Sequence, residues 1–352
     1  MSFGGHQRTI LILIGYRRPN RTEMNQISDV VRTTTATAEQ VGAESRIEIN
    51  RCKILEEVFP MVKWAAHYET GIAEFDKQHK DLIDMGGKLS ERAVEHGNDP
   101  KARLFLIRET MVFLRNYFIT HVEKEEAYMR ETGFAGYARH KKLHDAFRMR
   151  QLVKYENIVN RGMCSREELF DFIGNGVGWL IEHITTDDME IVRGLRQKES
   201  HSNLDASKLE TKINDLIIQT LNINCHVKAI DVDYKGDSPR KTVYQKCIFL
   251  ADERRIEVLS GIEQSFMMNV GRMLYGDQVD GNIGLVLSTL QSFGASFWRS
   301  MLLCFDFPDD VEMKESVFLT KEELQAQLAD MAPTVSILFD SDQGELFFSS
   351  RL

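Results

Sequence analysis

The chain has no Cys-x-x-Cys pair. Its five cysteines, Cys52, Cys164, Cys225, Cys247 and Cys304, are odd in number and widely spaced. That excludes a zinc ribbon and a disulfide framework, and fits reduced thiols in a cytoplasmic protein. No apolar run approaches the length of a membrane span. Segment 9–15 (TILILIG) is too short to cross a bilayer and lacks the architecture of a secretory signal. With Arg17, Arg18 and Arg21 behind it, it reads as an extension or as a mis-called start, with Met24 as the true initiator. Positive charge is not in excess: 44 Lys and Arg face 53 Asp and Glu, a net charge of -9. This argues against non-specific nucleic-acid binding and against a membrane-surface patch. A glycine-rich phosphate loop and a defensible Ser/His/Asp arrangement are also missing.

Histidine at particular spacings is what the sequence does have. Five of its ten histidines fall in one ordered set: His79, then His121-x-x-x-Glu125, then His140-x-x-x-His144, then His183 with Asp188 five residues on. A single i, i+4 pair means little. Five imidazoles and two carboxylates spread over four helical segments read as a binuclear iron site inside a four-helix bundle, and so as dioxygen chemistry. The remaining histidines, His6, His67, His96, His201 and His226, fall in loops, termini or polar stretches and read as solvated.

At 352 residues the chain has room for two or three domains. Residues 1–60 read as an N-terminal extension or helical arm. Residues 61–197 read as a four-helix bundle, with a clear helical period from Phe75 to about Arg196. The first helix carries Phe75, His79, Leu82, Leu89 and Ala93 on one stripe. Asp99 is an expected N-cap with Pro100 at the first helical position. The second helix aligns Leu104, Ile107, Met111, Leu114, Phe118, His121, Glu125 and Tyr128. The third presents Tyr137, His140, His144 and Phe147, and Ser165-x-x-Glu168 is a capping box opening the fourth. Residues 198–207 read as a linker, and 208–352 as an α+β domain. Helices are expected at 209–221, 262–275 and 283–301. Strands are expected at 227–234, 242–250, 256–259, 302–307 and 315–318, with Thr320-x-x-Glu323 capping a further helix and a hairpin at 335–348. The fold class is therefore multidomain: an all-α four-helix bundle followed by an α+β domain.

Residues four apart share a helix face, so His121 with Glu125 and His140 with His144 each point to the apolar seam. Buried imidazoles and carboxylates are costly unless something satisfies them, and a metal does. On the fourth helix the wheel prefers Asp187, four residues from His183, over Asp188. Five neutral imidazoles with two carboxylates make a less electron-rich centre than a carboxylate-rich one, suited to reversible exchange with dioxygen. Imidazole also suits zinc and copper, which the sequence leaves open.

Residues 64 to about 196 resemble a bacterial hemerythrin domain. The matching stretches are Trp64, Gly71-Ile72 before 75–80 (FDKQHK), 121–125 (HVEKE), 140–144 (HKKLH), and 179–183 (WLIEH) through Asp188. The resemblance implies one iron held by His140, His144 and His183, a second held by His79 and His121, and Glu125, Asp188 and a solvent oxygen as bridges. It selects Asp188 over Asp187. It also implies that dioxygen binds end-on at the His79/His121 iron, in a dry pocket for which Leu82, Ile83, Phe118, Phe147 and Leu180 are candidate walls.

The element order of 208–352 faintly resembles a CheX-type chemotaxis phosphatase. If Gly294 is that family's helix glycine, the catalytic Glu and Asn positions hold Leu287 and Leu290, so phosphatase activity is not expected. Such a domain would dock a signalling partner or form a homodimer. The expected function is a dioxygen sensor coupled to bacterial signalling or chemotaxis, and not an enzyme. The alternatives are an oxygen carrier without a signalling role, or a di-iron enzyme acting on peroxide or nitric oxide. Tyr117 and Tyr128 are the nameable proton donors for the last.

Overall fold

The computed structural model describes residues 62–195, 198, 200, 205–305, 307–308 and 311–351. The expected N-terminal arm, His6, Cys52, His201 and most of the expected linker lie outside the described residues.

Four antiparallel helical rods follow one another. Helix α1 is Ala73–His96, with Phe75, His79, Leu82, Leu89 and Ala93 of its expected stripe buried and Ile83 buried beside them. Its entry is tied down by Asp76, whose Oδ1 accepts from Thr70 N and Thr70 Oγ1 at 2.7 Å each. Helix α2 spans 100–132. Asp99 caps it, accepting from Lys101 N at 2.9 Å with Pro100 behind it, and Gly133 ends it in the left-handed region at φ 67°. Helix α3 spans 137–161 and stops at Gly162, φ 74°. Helix α4 spans 166–193 and opens with the expected capping box: Glu168 N donates to Ser165 Oγ, and Ser165 N to the Glu168 carboxylate.

Three of these rods contain a wider π-turn: Leu114–Phe118 in α2, Phe147–Leu152 in α3 and Ile184–Asp188 in α4. A π-turn bonds i to i+5 and so changes which residues share a face downstream.

The second half is α+β. Helix α5 (Ala206–Leu221) leads to strands β1 (Lys228–Asp231), β2 (Thr242–Ala251) and β3 (Arg254–Glu263). Then come helices α6 (Gln264–Tyr275) and α7 (Ile283–Leu303), strand β4 (Val311–Leu319), helix α8 (Lys321–Met331), and strands β5 (Val335–Asp340) and β6 (Leu346–Ser350). The sheet is antiparallel in the order β1-β5-β6-β3-β2-β4. Strand alternation sends Cys247, Phe249 and Ala251 to one face, packed with α5, α6 and α7, and Tyr244 to the other, beneath Leu324 and Leu328 of α8. The capping box at Thr320 and Glu323 and the β5–β6 hairpin form as expected.

One expected strand does not form. Leu302 and Leu303, the start of the 302–307 run, are the last turn of α7, and β4 begins only at Val311. A short apolar run at a buried helix end has the same pattern as a buried strand. Strands β1 and β2 are not neighbours either: the turn at Gly236 separates an edge strand from the far side of the sheet.

Helix α4 makes its most extensive helix contact with α7 rather than within the bundle. Gly174 and Gly178 are the reason. A Cβ on Gly174 would stand 2.6 Å from Thr289 N, and one on Gly178 2.7 Å from Thr289 O. The backbones touch where side chains would hold them apart. Residues Met61–Leu352 accordingly cluster as one compact unit. No described helix is long and apolar enough to cross a membrane.

Candidate metal centre

The structure brings all seven of the expected residues into the middle of the bundle, each buried. They form two overlapping groups. Glu125, His140, His144, His183 and Asp188 are one, and His79, His121 and Glu125 are the other; within each group the donor atoms lie within 4.8 Å of one another. Each rod contributes. His79 comes from α1, His121 and Glu125 from α2 just beyond its π-turn, His140 and His144 from α3 just before its own, and His183 and Asp188 from either end of the π-turn in α4.

The two carboxylates face both sets of imidazoles. Asp188 Oδ2 is 3.2 Å from His79 Nε2, while its Oδ1 is 3.1 Å from His183 Nε2 and 3.3 Å from His140 Nε2. Glu125 Oε2 is 3.3 Å from His144 Nε2, 3.5 Å from His140 Nε2 and 4.0 Å from His121 Nε2. The imidazoles also face one another. His79 and His121 approach Nε2 to Nε2 at 3.1 Å, as do His140 with His144 and His144 with His183.

These contacts fit cations and little else. His121 Nδ1 stands 2.9 Å from Gln78 Oε1, and His144 Nδ1 stands 3.4 Å from Glu126 Oε1. An oxygen acceptor at Nδ1 places the hydrogen there, which leaves the Nε2 lone pair of each of these two rings directed into the cluster. Both oxygens of Glu125 and of Asp188 are buried without a hydrogen-bond partner. Two donors each about 2.1 Å from one ion, at right angles, stand roughly 3.0 Å apart, close to the spacings here. A pair of divalent or trivalent cations would satisfy every one of these atoms, and imidazole with carboxylate suits iron.

The carboxylates and imidazoles of the cluster shift one another: against burial, Asp188 raises both His140 and His183. Burial alone would raise the pKa of Glu125, but His121, His140 and His144 around it hold it well below the usual carboxylate range. Asp188 is likewise held low by His183 and His140 against burial and the neighbouring Glu125. Burial depresses His121 to about 4, so its ring is neutral and available as a ligand.

Asp187, the residue the helical wheel prefers, is not in the cluster. In the π-turn Ile184–Asp188 the fifth residue, not the fourth, returns to the face of His183. Asp187 lies on the outer side of the His183 ring, away from the cluster, and accepts from Arg299 of α7. A sequence read at 100° per residue has no signal for this.

All five expected pocket walls, Leu82, Ile83, Phe118, Phe147 and Leu180, line one apolar cavity of about 70 Å³, though none of the seven cluster residues is part of its lining. Each is within a turn or two of a histidine of the cluster. Trp179 completes the wall, stacked on His183 with ring centroids 4.4 Å apart and 15° between planes. Of the two tyrosines considered as proton donors, Tyr117 donates to Asp81 Oδ2 at 2.5 Å and Tyr128 packs edge-on against Phe75. His96 and His226 are exposed, while His67 is half-buried against Tyr68, and none of the three joins the cluster.

The residues that sequence reasoning missed are Gln78 and Glu126, which face the outer nitrogens of His121 and His144, and Arg299; Asp187 was weighed, but as a cluster ligand rather than as the neighbour of the outer nitrogen of His183. Gln78 and Glu126 sit beside cluster residues in the chain. Arg299 is 111 residues from Asp188 and carries no signal at all.

Residues 70–194 match the family described as the hemerythrin HHE cation binding domain. Among curated proteins, the chain is similar to the bacteriohemerythrin of Pseudomonas aeruginosa strain PAO1, with 29% identity over 145 residues, covering 41% of this chain and 88% of that protein. It is similar to the bacteriohemerythrin of Clostridium acetobutylicum, with 28% identity over 137 residues, 38% of this chain and 99% of that protein. The bacteriohemerythrin of Methylococcus capsulatus strain Bath shares 34% identity over 86 residues, 24% of this chain and 61% of that protein.

Proposed function

We propose that residues 70–194, which match the hemerythrin HHE cation binding domain, hold two iron ions and bind dioxygen reversibly. The observation that carries this reading is the double-facing of Glu125 and Asp188, each set between the His79/His121 pair and the His140/His144/His183 trio. His79 and His121 would hold one ion and the trio the other, with Glu125 and Asp188 available to both. When bound, such a pair of irons would supply reversible two-electron exchange with dioxygen.

The chain's own residues do the rest. Gln78 and Glu126 orient the rings of His121 and His144 by their outer nitrogens. Trp179 fixes the plane of His183 by stacking. Leu82, Ile83, Phe118, Phe147 and Leu180 keep water from the site and leave an apolar space for a small apolar ligand. The reading is that of a binding protein. The test is optical: reduce the iron-loaded protein without oxygen, admit air, then remove it. Visible absorption that rises and fades reversibly supports the reading, and a colourless protein, or turnover without recovery of the starting spectrum, overturns it.

A sensor role for the same domain is favoured by the seating of α4 on α7. The backbone contact at Gly174 and Gly178 gives the metal-bearing helix a direct mechanical neighbour in the α+β region. Amide exchange in α7 is expected to change between deoxygenated and oxygenated protein. Identical exchange in both states would favour a carrier whose α+β region serves another purpose.

A further inference from the structure

We propose that Arg299, carried on α7 of the α+β region, is a positioning residue for the metal centre: through Asp187 it holds the ring of His183, so that the α+β region completes the ligand set of the bundle. The proposal rests on the metal-binding reading above.

Arg299 is 5% exposed, and its partners Asp187 and Glu182 are buried with it in the seam between α4 and α7. Arg299 Nη2 donates to Asp187 Oδ2. The same nitrogen is 3.8 Å from Glu182 Oε2. The other Glu182 oxygen is held by Ser300 Oγ at 2.5 Å and Thr186 Oγ1 at 2.9 Å. A guanidinium in such surroundings has a fixed place, because leaving it uncompensated in a buried seam is strongly unfavourable. Asp187 Oδ2, the oxygen that Arg299 grips, is 3.6 Å from His183 Nδ1. The other nitrogen of that ring faces the cluster, 3.1 Å from Asp188 Oδ1. His183 is therefore seated between a cluster carboxylate and a carboxylate anchored from outside the bundle.

Ligating histidines commonly present their second nitrogen to a carboxylate or amide oxygen, which sets tautomer and ring orientation. His121 and His144 have such partners in Gln78 and Glu126, both on bundle helices. For His183 the nearest carboxylate to that nitrogen is Asp187, 3.6 Å away and so an ionic neighbour rather than a hydrogen-bond acceptor, and its orientation is set from α7. The helix packing makes this delivery rigid. Helices α4 and α7 run side by side in the same direction, touching at Gly174 with Thr289 and Gly178 with Phe293, then at Glu182 with Ser300 and Asp187 with Arg299. The π-turn Ile184–Asp188 divides adjacent residues between two tasks, Asp188 to the cluster and Asp187 to the seam.

The test uses the metal-free full chain and cobalt(II), whose visible absorption reports occupancy without any oxygen chemistry. Wild type is expected to take up two ions per chain. Arg299→Met is expected to release one of them to a chelator about 10–100-fold faster, with the other unchanged and Arg299→Lys intermediate. Because Arg299→Met leaves Asp187 buried without its cation and can unfold the chain, the deciding variant is D187L/R299M, which removes both charges. A double variant that melts, metal-free, like wild type and still releases one ion 10–100-fold faster supports the proposal. Both ions leaving that variant at wild-type rates overturns it and reduces the pair to a packing element. Wild type that takes up no cobalt overturns the metal reading and this proposal together. Two-ion binding with the expected release pattern, but no reversible spectrum in the iron-loaded protein with air, removes the dioxygen reading alone.

Discussion

His183 and Asp188 are five residues apart on one helix, yet His183 Nε2 and Asp188 Oδ1 face each other at 3.1 Å, because the turn between them is a π-turn. In an α-helix the fifth residue would point about 140° away, and Asp187 would take its place. Asp188→Ala is therefore expected to lower bound iron from two ions per chain to one or none, while Asp187→Asn keeps two at saturating metal. Metal analysis of the purified variants decides this. Equal loss in both would mean that the two aspartates share the role.

Gly174 and Gly178 are kept free of side chains by the backbone of α7, whereas Gly176 between them has nothing within 4 Å of an added Cβ. Gly178→Val is expected to destabilise the chain by about 1–3 kcal/mol through overpacking, on top of any loss at the metal centre. Gly176→Ala is expected to stabilise it by up to about 1 kcal/mol, since alanine has the higher helix propensity. Chemical denaturation of the two variants gives the sign of each. A harmless Gly178→Val would show that α7 is free to move away from α4.

Leu82 is buried one turn beyond His79 and lines the apolar cavity. Leu82→Ala removes both packing and the barrier to water, and is expected to cost about 2–5 kcal/mol. It is also expected to speed oxidation of the oxygenated iron protein, read from the decay of its visible spectrum in air. An unchanged decay rate would place the water barrier elsewhere in the wall.

Glu182 gives a pH signature. Burial raises its pKa above the ordinary value of 4.5, and the charge of Asp187 adds to this against the opposing pull of Arg299. A carboxyl whose folded pKa is raised binds its proton more tightly folded than unfolded. Its contribution is full below about pH 4.5 and is lost as pH rises through the higher folded value. The melting temperature of wild type is thus expected to fall relative to Glu182→Gln between pH 5 and pH 8. A constant difference over that interval would mean that Arg299 and Ser300 keep the carboxylate ionised throughout.

The sequence by itself determined the local elements and the identity of the cluster. Periodic apolar stripes, the Asp99–Pro100 start and the capping boxes at Ser165–Glu168 and Thr320–Glu323 are signals carried within a few residues, and each forms where it was expected. Four of the seven cluster residues were legible as i, i+4 pairs on apolar seams and His79 and His183 as histidines on the same kind of stripe, while Asp188 was separated from Asp187 only by the family resemblance. Tertiary structure decided the rest. Whether a turn widens from α to π depends on what the flanking helix must reach, so the division of labour between Asp187 and Asp188 is set by the bundle and by α7 together. The order of the sheet strands, the helical fate of Leu302 and Leu303, and the arrival of Arg299 beside a histidine of the cluster all depend on contacts between residues remote in the chain. No local periodicity encodes such contacts, because they arise only when separate apolar faces are buried against one another.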